Sequence, residues 1–254
     1  MTVASSRRRS KPSLLRRLRA LWIFIVVLLA LAAYAGYLLA TWTAFQPKSI
    51  AVSGNVHEAA EQIRKAAAIA LDRNVWLIDK HAAEQRVDAL PWVRRAEIHR
   101  ALPSTVTIVV HERVPAACVQ AGVLRYLVDE TAHVLESRCP GGEIASIAWP
   151  YSLSAQAPGD VLDVALVQRL LGDNAILREK GVTAVQLGVD RFGGLEARLQ
   201  GGVRVRFGDD RGLAQKAALV EPILRTYRGR WAEVAAIDVR APSTPVVELR
   251  RPKK

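Results

Sequence analysis

The sequence predicts an α+β protein in which a single N-terminal transmembrane helix precedes two folded modules. One observation is an uncharged apolar run over residues 21–42. Another is that, beyond this run, short segments of alternating apolar residues are interspersed with segments whose apolar residues recur at helical spacing. Half of the 254 residues are hydrophobic, which is enough for one large core or two small ones.

The net charge of +12 is concentrated at the two ends of the chain. The first 20 residues hold seven Arg or Lys and no Asp or Glu, and residues 250–254 hold four more basic residues. The body between them is nearly neutral, and it lacks a zinc-finger spacing, a recognition-helix pattern and an aromatic ribonucleoprotein motif. We therefore expect no nucleic-acid partner.

The apolar run over residues 21–42 is predicted to cross the membrane as a helix. Its 22 residues extend about 33 Å, enough for a hydrocarbon core of about 30 Å. Three basic residues precede the run closely: Arg16, Arg17 and Arg19. Only Lys48 follows it closely, so the positive-inside rule places residues 1–20 in the cytoplasm as a basic tail and the bulk of the chain outside.

A cleaved signal peptide is the alternative to an anchor. Ala33-Tyr34-Ala35 has the small residues of a cleavage site, and cleavage there would leave a mature chain that begins near Gly36. The apolar run continues well past that point and exceeds the roughly 7–15 residues of a signal peptide core, which favours the anchor. A buried core helix is disfavoured because the run has no polar periodicity.

Residues 46–115 form the first predicted module. Ser49–Ser53 alternates in apolar character and ends at a Gly-Asn pair, which predicts a strand followed by a turn. Asn55–Glu58 resembles a capping box, so a helix is expected to begin there. Asp79 is the predicted N-cap of a second helix, and Pro91 ends that helix.

Two further strands complete this module, over Val93–His99 and Thr105–Arg113. In the second strand Val106, Ile108 and Val110 share one face. The order strand, helix, helix, strand, strand predicts a three-stranded sheet with both helices on one face and with the last strand beside the first.

Residues 116–250 form the second predicted module, a mixed α+β domain. Strands are expected at Ala117–Gln120, Leu124–Val128, Val134–Leu135, Thr183–Val189, Leu195–Leu199, Val203–Phe207, Val234–Val239 and Pro245–Leu249, and helices at Val161–Glu179 and Leu213–Tyr227. The pairs Gly193-Gly194 and Gly201-Gly202 do not open a helix after a strand, so hairpin turns are favoured over a phosphate cradle. Residues 251–254 are the end of the chain and are basic.

No catalytic, metal or cofactor site is predicted. The five histidines occur singly, without a His-Glu-x-x-His pair or a cysteine spacing for zinc. The sequence contains no Gly-x-Ser-x-Gly elbow and no Ser-x-x-Lys motif. The cluster His111-Glu112-Arg113 is expected to be a solvated rim with a charge pair worth about 0–1 kcal/mol.

The two cysteines, Cys118 and Cys139, are expected in the exported part of the chain, where a disulfide persists once formed. A bridge closing this loop would add about 3 kcal/mol on the chain-entropy estimate. The alternatives, two buried thiols or an exposed free thiol, stay open at this point.

Four short motifs follow one another in the first module: Val52-Ser53-Gly54-Asn55, Leu90-Pro91-Trp92-Val93, Leu102-Pro103-Ser104-Thr105-Val106 and Glu112-Arg113-Val114-Pro115. In this order, behind a basic tail and one membrane span, they resemble a POTRA domain, and more narrowly the FtsQ family of bacterial division proteins, called DivIB in Gram-positive bacteria. Val205-Arg206-Phe207-Gly208, with Lys216 in the next helix, resembles the second domain of that family, the β domain.

The residues and the resemblance both point to a binding protein without catalytic activity. Unpaired strands at a sheet edge offer backbone groups to a partner segment, and the last hairpin is the candidate edge. Its candidate contact residues are Ile237, Val239, Arg240, Val246, Val247, Glu248 and Leu249.

The resemblance also implies particular partners and a location. It implies that this hairpin captures FtsB, which is paired with FtsL, and so helps control the septal peptidoglycan synthase FtsW with FtsI. It implies that Lys216 and Arg240 are polar partner contacts. It further implies a single-pass protein of the inner membrane, with its bulk outside the cytoplasm, at the division septum.

The chain departs from the family pattern after Val239-Arg240, where an aromatic residue is common and Ala241 stands here, with Pro242 and Pro245 close behind. Since proline donates no amide, edge pairing through residues 241–245 would be interrupted and the docking strand shifted. Two other functions stay open: a POTRA-bearing assembly or secretion factor that handles client strands, and a membrane-anchored cell-envelope enzyme. The lack of repeated POTRA units and of a barrel-like strand series argues against the first.

Overall fold

A computed structural model describes residues 14–141, 144–227 and 230–250. Its first element is helix α1, Leu14–Thr41. Among the described residues, this is the one helix long and apolar enough to cross a membrane, over Leu21–Thr41 with a mean hydropathy of 2.5. The side chains of this stretch are exposed, as a helix surrounded by lipid requires.

The predicted basic tail lies only partly within the described residues. Arg16, Arg17 and Arg19 belong to the first turns of α1, so the helix begins before the apolar run and continues into it. Residues 1–13, and the basic end at residues 251–254, lie outside the described part of the chain.

The first module has the predicted order of strands and helices. Its elements are β1 (Ser49–Ser53), α2 (Ala60–Ala67), α3 (Lys80–Asp88), β2 (Val93–Ala101) and β3 (Thr105–Glu112). In the described part of the chain these strands form a three-stranded sheet ordered β1-β3-β2, with β1 parallel to β3 and β2 antiparallel to it. Val106, Ile108 and Val110 of β3 face the helices and are buried, which confirms the predicted apolar face.

The predicted capping box at Asn55–Glu58 is wrong, whereas the predicted cap of α3 is confirmed. Helix α2 begins at Ala60, and its N-cap Ala59 makes no side-chain hydrogen bond. The Asn55 amide instead donates to the carbonyl oxygen of Glu58, at 2.9 Å. Asp79 caps α3 by accepting from the backbone amide of Ala82, at 3.0 Å.

The second module is built on one large sheet. Its elements are β4 (Pro115–Ala121), β5 (Leu124–Asp129), β6 (Val134–Glu136), β7 (Ala145–Ala148), α4 (Val164–Glu179), β8 (Ala184–Val189), β9 (Leu195–Leu199), β10 (Arg204–Gly208), α5 (Leu213–Thr226), β11 (Val234–Asp238) and β12 (Val246–Leu249). Over the described residues the sheet has nine strands in the order β12-β11-β10-β9-β8-β7-β4-β5-β6. Helices α4 and α5 contact each other and the sheet, and they close the main core.

Two features of this module differ from the sequence prediction. Strand β7 was not predicted, and it lies between β4 and β8, parallel to both. Helix α4 begins at Val164 instead of Val161, because Asp163 caps it by accepting from the Leu166 amide and Val161 forms a bridge with His133. The two glycine pairs lie in the antiparallel connections of β8 with β9 and of β9 with β10, as predicted.

The expectation of a solvated rim at His111-Glu112-Arg113 is wrong. The Glu112 carboxylate accepts from the backbone amides of Val56, His57 and Glu58, at 2.8–3.0 Å, and its side chain is 8% exposed. Burial alone would raise the pKa of Glu112, but these hydrogen bonds outweigh burial and hold the pKa below its usual value. This carboxylate therefore fixes the loop that precedes α2.

The two sheets are joined through buried contacts beside this loop. The Arg113 guanidinium donates to the Asp129 carboxylate at 2.8 Å, and both side chains are largely buried. Trp92 packs with Leu127 and Leu135 of the second module, while its outer face stacks on His57 with ring centroids 4.0 Å apart. The first module thus meets the second through an ion pair and an apolar cluster.

The two cysteines are bonded to each other, which decides the question that the sequence left open. The Cys118–Cys139 disulfide joins positions 21 residues apart. It ties β4 to the segment that follows β6, at the opposite end of the sheet from β12.

Candidate functional site

The candidate site is the last hairpin of the large sheet, formed by β11 and β12. The strands are antiparallel, with the pairs Val234–Leu249, Ala236–Glu248, Ile237–Val247 and Asp238–Val246. Strand β12 has β11 on one side and, among the described residues, no strand on the other. One long side of β12 is therefore a sheet edge.

The direction of the backbone groups on β12 follows from one hydrogen bond. The Arg250 amide donates inward to the carbonyl oxygen of Glu233, at 2.6 Å. Because the N–H and C=O groups of successive strand residues point to opposite sides, those of Glu248 also point toward β11. The groups of Val247 and Leu249 then point away from the sheet, where they are available to an added strand.

The side chains of β12 differ in what they touch. Val247 is partly buried and packs against the main core. Val246 and Leu249 are each 56% exposed, and Glu248 is exposed and paired with Arg206 of β10 at 2.7 Å. The edge therefore combines unpaired backbone groups with two exposed apolar side chains and a carboxylate.

Ile237 and Val239, two of the candidate contact residues, are fully buried. Both belong to the main core beneath the hairpin. Their side chains hold β11 in place and are not accessible to a partner. Contacts with a partner at this hairpin would therefore come from β12.

Arg240 follows β11 and is partly exposed. Its guanidinium donates to the Asp238 carboxylate from Nε, at 3.0 Å to each oxygen, and from Nη2, at 2.6 Å to Oδ2. Hydrogen bonding from Arg240 lowers the pKa of Asp238, against a smaller opposing effect of burial. The stem of Arg240 lies over Gly208, where a Cβ would come within 3.0 Å of it. Arg240 is thus held beside the hairpin with its outer face in solvent.

Lys216 is buried, in contrast to Arg240. Its side chain is 5% exposed, and the ammonium group donates to both the backbone carbonyl and the carboxylate of Asp209, at 2.8 and 2.7 Å. This hydrogen bond is the main reason that the pKa of Asp209 is lowered. Asp209 directly follows Gly208, so Lys216 fixes the loop on which Arg240 lies.

The prolines that follow β11 lie in the hairpin turn and not on the edge strand. The Thr244 amide donates to the carbonyl oxygen of Ala241 at 3.1 Å, which closes the turn that contains Pro242. Pro245 stands immediately before β12. The prolines lack backbone N–H groups, but they do not interrupt the outward-pointing backbone groups of Val247 and Leu249.

Arg206 is a site residue that the sequence reasoning did not assign. It lies between Glu196 of β9 and Glu248 of β12, at 3.5 and 2.7 Å. The alternation of Val205, Arg206 and Phe207 places Arg206 on the face opposite the core, and this was the available signal. Its pairing with Glu248 could not be predicted, because it depends on the order of the strands in the sheet and the local sequence pattern does not contain that order.

The described residues include no cluster of three or more His, Cys, Asp or Glu side chains arranged to hold a metal ion. The polar groups of the hairpin are paired with each other, as Asp238 is with Arg240 and Glu248 with Arg206. What this site offers chemically is a backbone edge, an apolar pair and charged groups held in fixed positions.

Comparison with protein families first defines the class of protein. Residues 45–113 match the model of the POTRA domain, FtsQ-type. With helix α1, the one candidate span among the described residues, in front and the large mixed sheet behind, the chain has the architecture of a membrane-anchored protein with an FtsQ-type POTRA domain.

Similar proteins of known name indicate which family the chain resembles. Cell division protein FtsQ of Myxococcus fulvus is 28% identical over 242 residues, covering 87% of this chain and 81% of that protein. The FtsQ of Corynebacterium glutamicum is 25% identical over 186 residues, 72% of this chain and 80% of that protein. Cell division protein DivIB of Clostridium tetani is 26% identical over 94 residues, 37% of this chain and 36% of that protein. Over most of its length the chain is similar to bacterial cell division proteins of the FtsQ/DivIB family.

This similarity supports a division-related role for the chain, with division proteins in general as its partners. The apolar helix α1 and these relatives together indicate a single-pass membrane protein. The names of the three relatives describe division proteins, and none names a reaction.

Proposed function

We propose that this protein is a divisome scaffold that captures an FtsB-type segment as an added strand on β12. The observation that carries the proposal is the outward edge of β12, whose Val247 and Leu249 backbone groups have no partner among the described residues. An extended segment placed there would complete the ladder, and main-chain hydrogen bonds would supply the affinity.

Specificity would come from the side chains around that edge. Val246 and Leu249 offer exposed apolar surface, and Arg240 offers a guanidinium whose outer face is free to meet an acidic group. Lys216, through Asp209, and the buried Ile237 and Val239 would keep this surface in one shape. Pre-ordering of this kind lowers the entropy that binding costs.

The partner chemistry and the location follow from the same proposal. The captured FtsB-type segment would be paired with an FtsL-type chain, and the complex would help control an FtsW/FtsI-type septal peptidoglycan synthase. The seven basic residues before the span support an orientation with the N-terminus in the cytoplasm and most of the chain outside it. The protein would be located in the inner membrane at the division septum. Residues 46–115 would be the POTRA domain that assists recruitment, and residues 116–250 the β domain that binds.

Co-purification tests the proposal. The full chain in detergent is mixed with FtsB-type and FtsL-type ectodomains, and the wild type is compared with Val247→Pro. Because the Val247 amide points outward, proline there removes a donor to the added strand and leaves the β11–β12 ladder intact. We expect capture to fall by about tenfold or more, which corresponds to a loss of about 1.4 kcal/mol or more of binding free energy.

Val247→Thr is the matched control, since it keeps the amide and the branched shape. We expect it to capture the partner nearly as well as the wild type. Thermal unfolding of both variants checks that the hairpin is intact. If Val247→Pro unfolds at the wild-type temperature and still captures the partner in full, β12 is not the docking edge.

A further inference from the structure

The end of the transmembrane helix and the POTRA domain are connected by hydrogen bonds. The side-chain amide of Asn74, in the loop between α2 and α3, donates to the backbone carbonyl of Leu39 at 3.1 Å. The Gln46 side chain donates to the carbonyl of Asp72, in the same loop, at 3.0 Å. Leu39 lies inside the apolar span that ends at Thr41, so this loop touches the span itself.

This contact sets the depth of the loop relative to a bilayer. Leu39 is two residues from the end of the span, about 3 Å along the helix axis. The interfacial layer of a bilayer is roughly 5–8 Å thick on each side of the hydrocarbon core. A group that bonds to Leu39 therefore lies at the level of that layer and not in the water beyond it.

The segment that follows Asn74 is held rigidly at this level. Asn74 is buried and caps the 3₁₀ turn Val75–Leu77 by accepting from the Trp76 amide at 3.0 Å. From β2, the Arg100 guanidinium donates to the carbonyl oxygens of Val75 and Trp76, at 3.3 and 3.2 Å. Two polar side chains, those of Asn74 and Arg100, thus fix the backbone of the turn.

The side chains of this turn separate into a buried and an exposed set. Val75 is buried in the POTRA core. Trp76 is 56% exposed and Leu77 is 61% exposed, and both are large apolar side chains. Trp42, at the end of the span, is also exposed. Tryptophan prefers the membrane interface, where its ring is in apolar surroundings and its N–H is in a polar one.

We propose that the turn Val75–Leu77 is a second membrane contact of this protein, with Trp76 and Leu77 inserted in the interfacial layer of the bilayer that α1 crosses. The occupant of this apolar surface is lipid, because the turn is continuous with the span through the bond from Asn74 to Leu39. The contact fixes the POTRA domain against the membrane, so its sheet has a set direction instead of swinging on residues 42–48. This inference rests on the membrane span of α1 and not on the docking edge at β12.

A fluorescent label on Leu77→Cys tests the inference. Cys118 and Cys139 are bonded to each other, so the introduced cysteine is the free thiol. The full chain, labelled with a polarity-sensitive dye, is placed at one chain per disc in nanodiscs of phosphatidylcholine and phosphatidylglycerol. We expect blue-shifted emission and at least about a twofold loss of intensity when the discs carry lipids with a nitroxide at the headgroup level.

Val56→Cys is the matched control. Val56 is 82% exposed, and it follows β1 at the end that lies far from the span, since Ser49 begins that strand directly after the linker. The dye at position 56 should show water-like emission and little quenching. Equal quenching at positions 77 and 56 would overturn the inference.

Two further outcomes would also count against lipid as the occupant. One is a dye at position 77 that remains in water in the disc and becomes protected only when FtsB-type and FtsL-type ectodomains are added, which would assign the surface to a protein. The other is protection that appears only with two chains per disc, which would assign it to a second copy. Loss of capture by Val247→Pro with unchanged quenching at position 77 separates this contact from the docking edge.

Discussion

The two edges of the large sheet differ in how far the chain's own backbone covers them. At the β6 edge, Val134 both donates to the carbonyl of Asp160 and accepts from the amide of Gly159, each at 2.8 Å. The Leu162 amide donates to Ala132 at 2.9 Å, so the chain before α4 follows this edge. The Cys118–Cys139 disulfide ties down the segment just beyond it. Backbone from the same chain thus covers the β6 edge.

The β12 edge has no such cover in the described part of the chain. Strand β12 is four residues long, and it is held inward by the Arg250 amide and by the Arg206–Glu248 pair. Proteins ordinarily shield sheet edges because an open edge pairs with other chains. One edge is covered by the chain's own backbone and the other is short and open, and this contrast supports the proposal that a partner strand docks at the second edge.

The largest difference between the edges should appear at Asp129, where β5 ends beside the covered edge. Its carboxylate accepts from Arg113 and from the amides of Thr131 and His133, at 2.8–3.0 Å. We expect Asp129→Ala to cost about 3–5 kcal/mol of folding free energy, because it leaves the buried Arg113 charge unpaired. Thermal unfolding of the full chain in detergent measures the cost.

The pH dependence of this loss has a defined sign. Burial alone would raise the pKa of Asp129, but hydrogen bonds from Arg113, His133 and Thr131 outweigh it and lower the pKa below 3.8. A carboxylate with a depressed folded pKa contributes stability above its unfolded pKa and loses it as the pH falls through the folded pKa. The difference in unfolding free energy between wild type and Asp129→Ala should therefore shrink below about pH 4.

Glu130→Ala is the control. The side chain of Glu130 makes only an exposed pair with Arg94, so this substitution should cost little stability. Equal losses for the two variants would contradict a special role for Asp129.

The disulfide should give the second largest effect, again at the covered edge. We expect Cys118→Ser combined with Cys139→Ser to destabilise the chain by about 3 kcal/mol, because the bridge restricts a loop of about 20 residues in the unfolded state. Unfolding of the variant, and of the wild type with and without reductant, measures this. The variant should still capture the FtsB-type partner below its unfolding temperature, because the bridge lies at the far end of the sheet from β12. Loss of capture by a folded variant would show that the two edges are coupled.

The sequence predicts most of the fold because its signals are local. Ser49–Ser53, the Asp79 cap and the glycine-containing hairpins could be placed from apolar alternation, capping chemistry and turn residues. What could not be predicted depends on contacts between distant residues. Strand β7 is four residues of Ala, Ser and Ile without clear alternation, and it is a strand because β4 and β8 lie on either side. Glu112 binds amides more than 50 residues earlier, so its role could not be read from its neighbours.

The candidate site could be predicted to the level of the hairpin and not of its side chains. Alternation and turn residues in Val234–Leu249 indicate two strands joined as a hairpin. The burial of Ile237 and Val239 depends on the main core, which is built from many distant residues. The ammonium group of Lys216 is held by Asp209, seven residues before it. Which backbone groups face outward is set by the register with β11, which the sequence of either strand alone does not contain.

The smallest effect should come from the ion pair that ties the open edge to the sheet. Arg206 and Glu248 lie 2.7 Å apart with partly exposed side chains, so a double-mutant cycle with Arg206→Met and Glu248→Gln should give a coupling of only about 0.5 kcal/mol. The same cycle on Arg113 and Asp129 should give several times more, because that pair is buried. If the coupling between Arg206 and Glu248 were as large as that between Arg113 and Asp129, side-chain pairing would fix β12 as firmly as the covered edge. The two edges would then differ only in whether their backbone groups are paired.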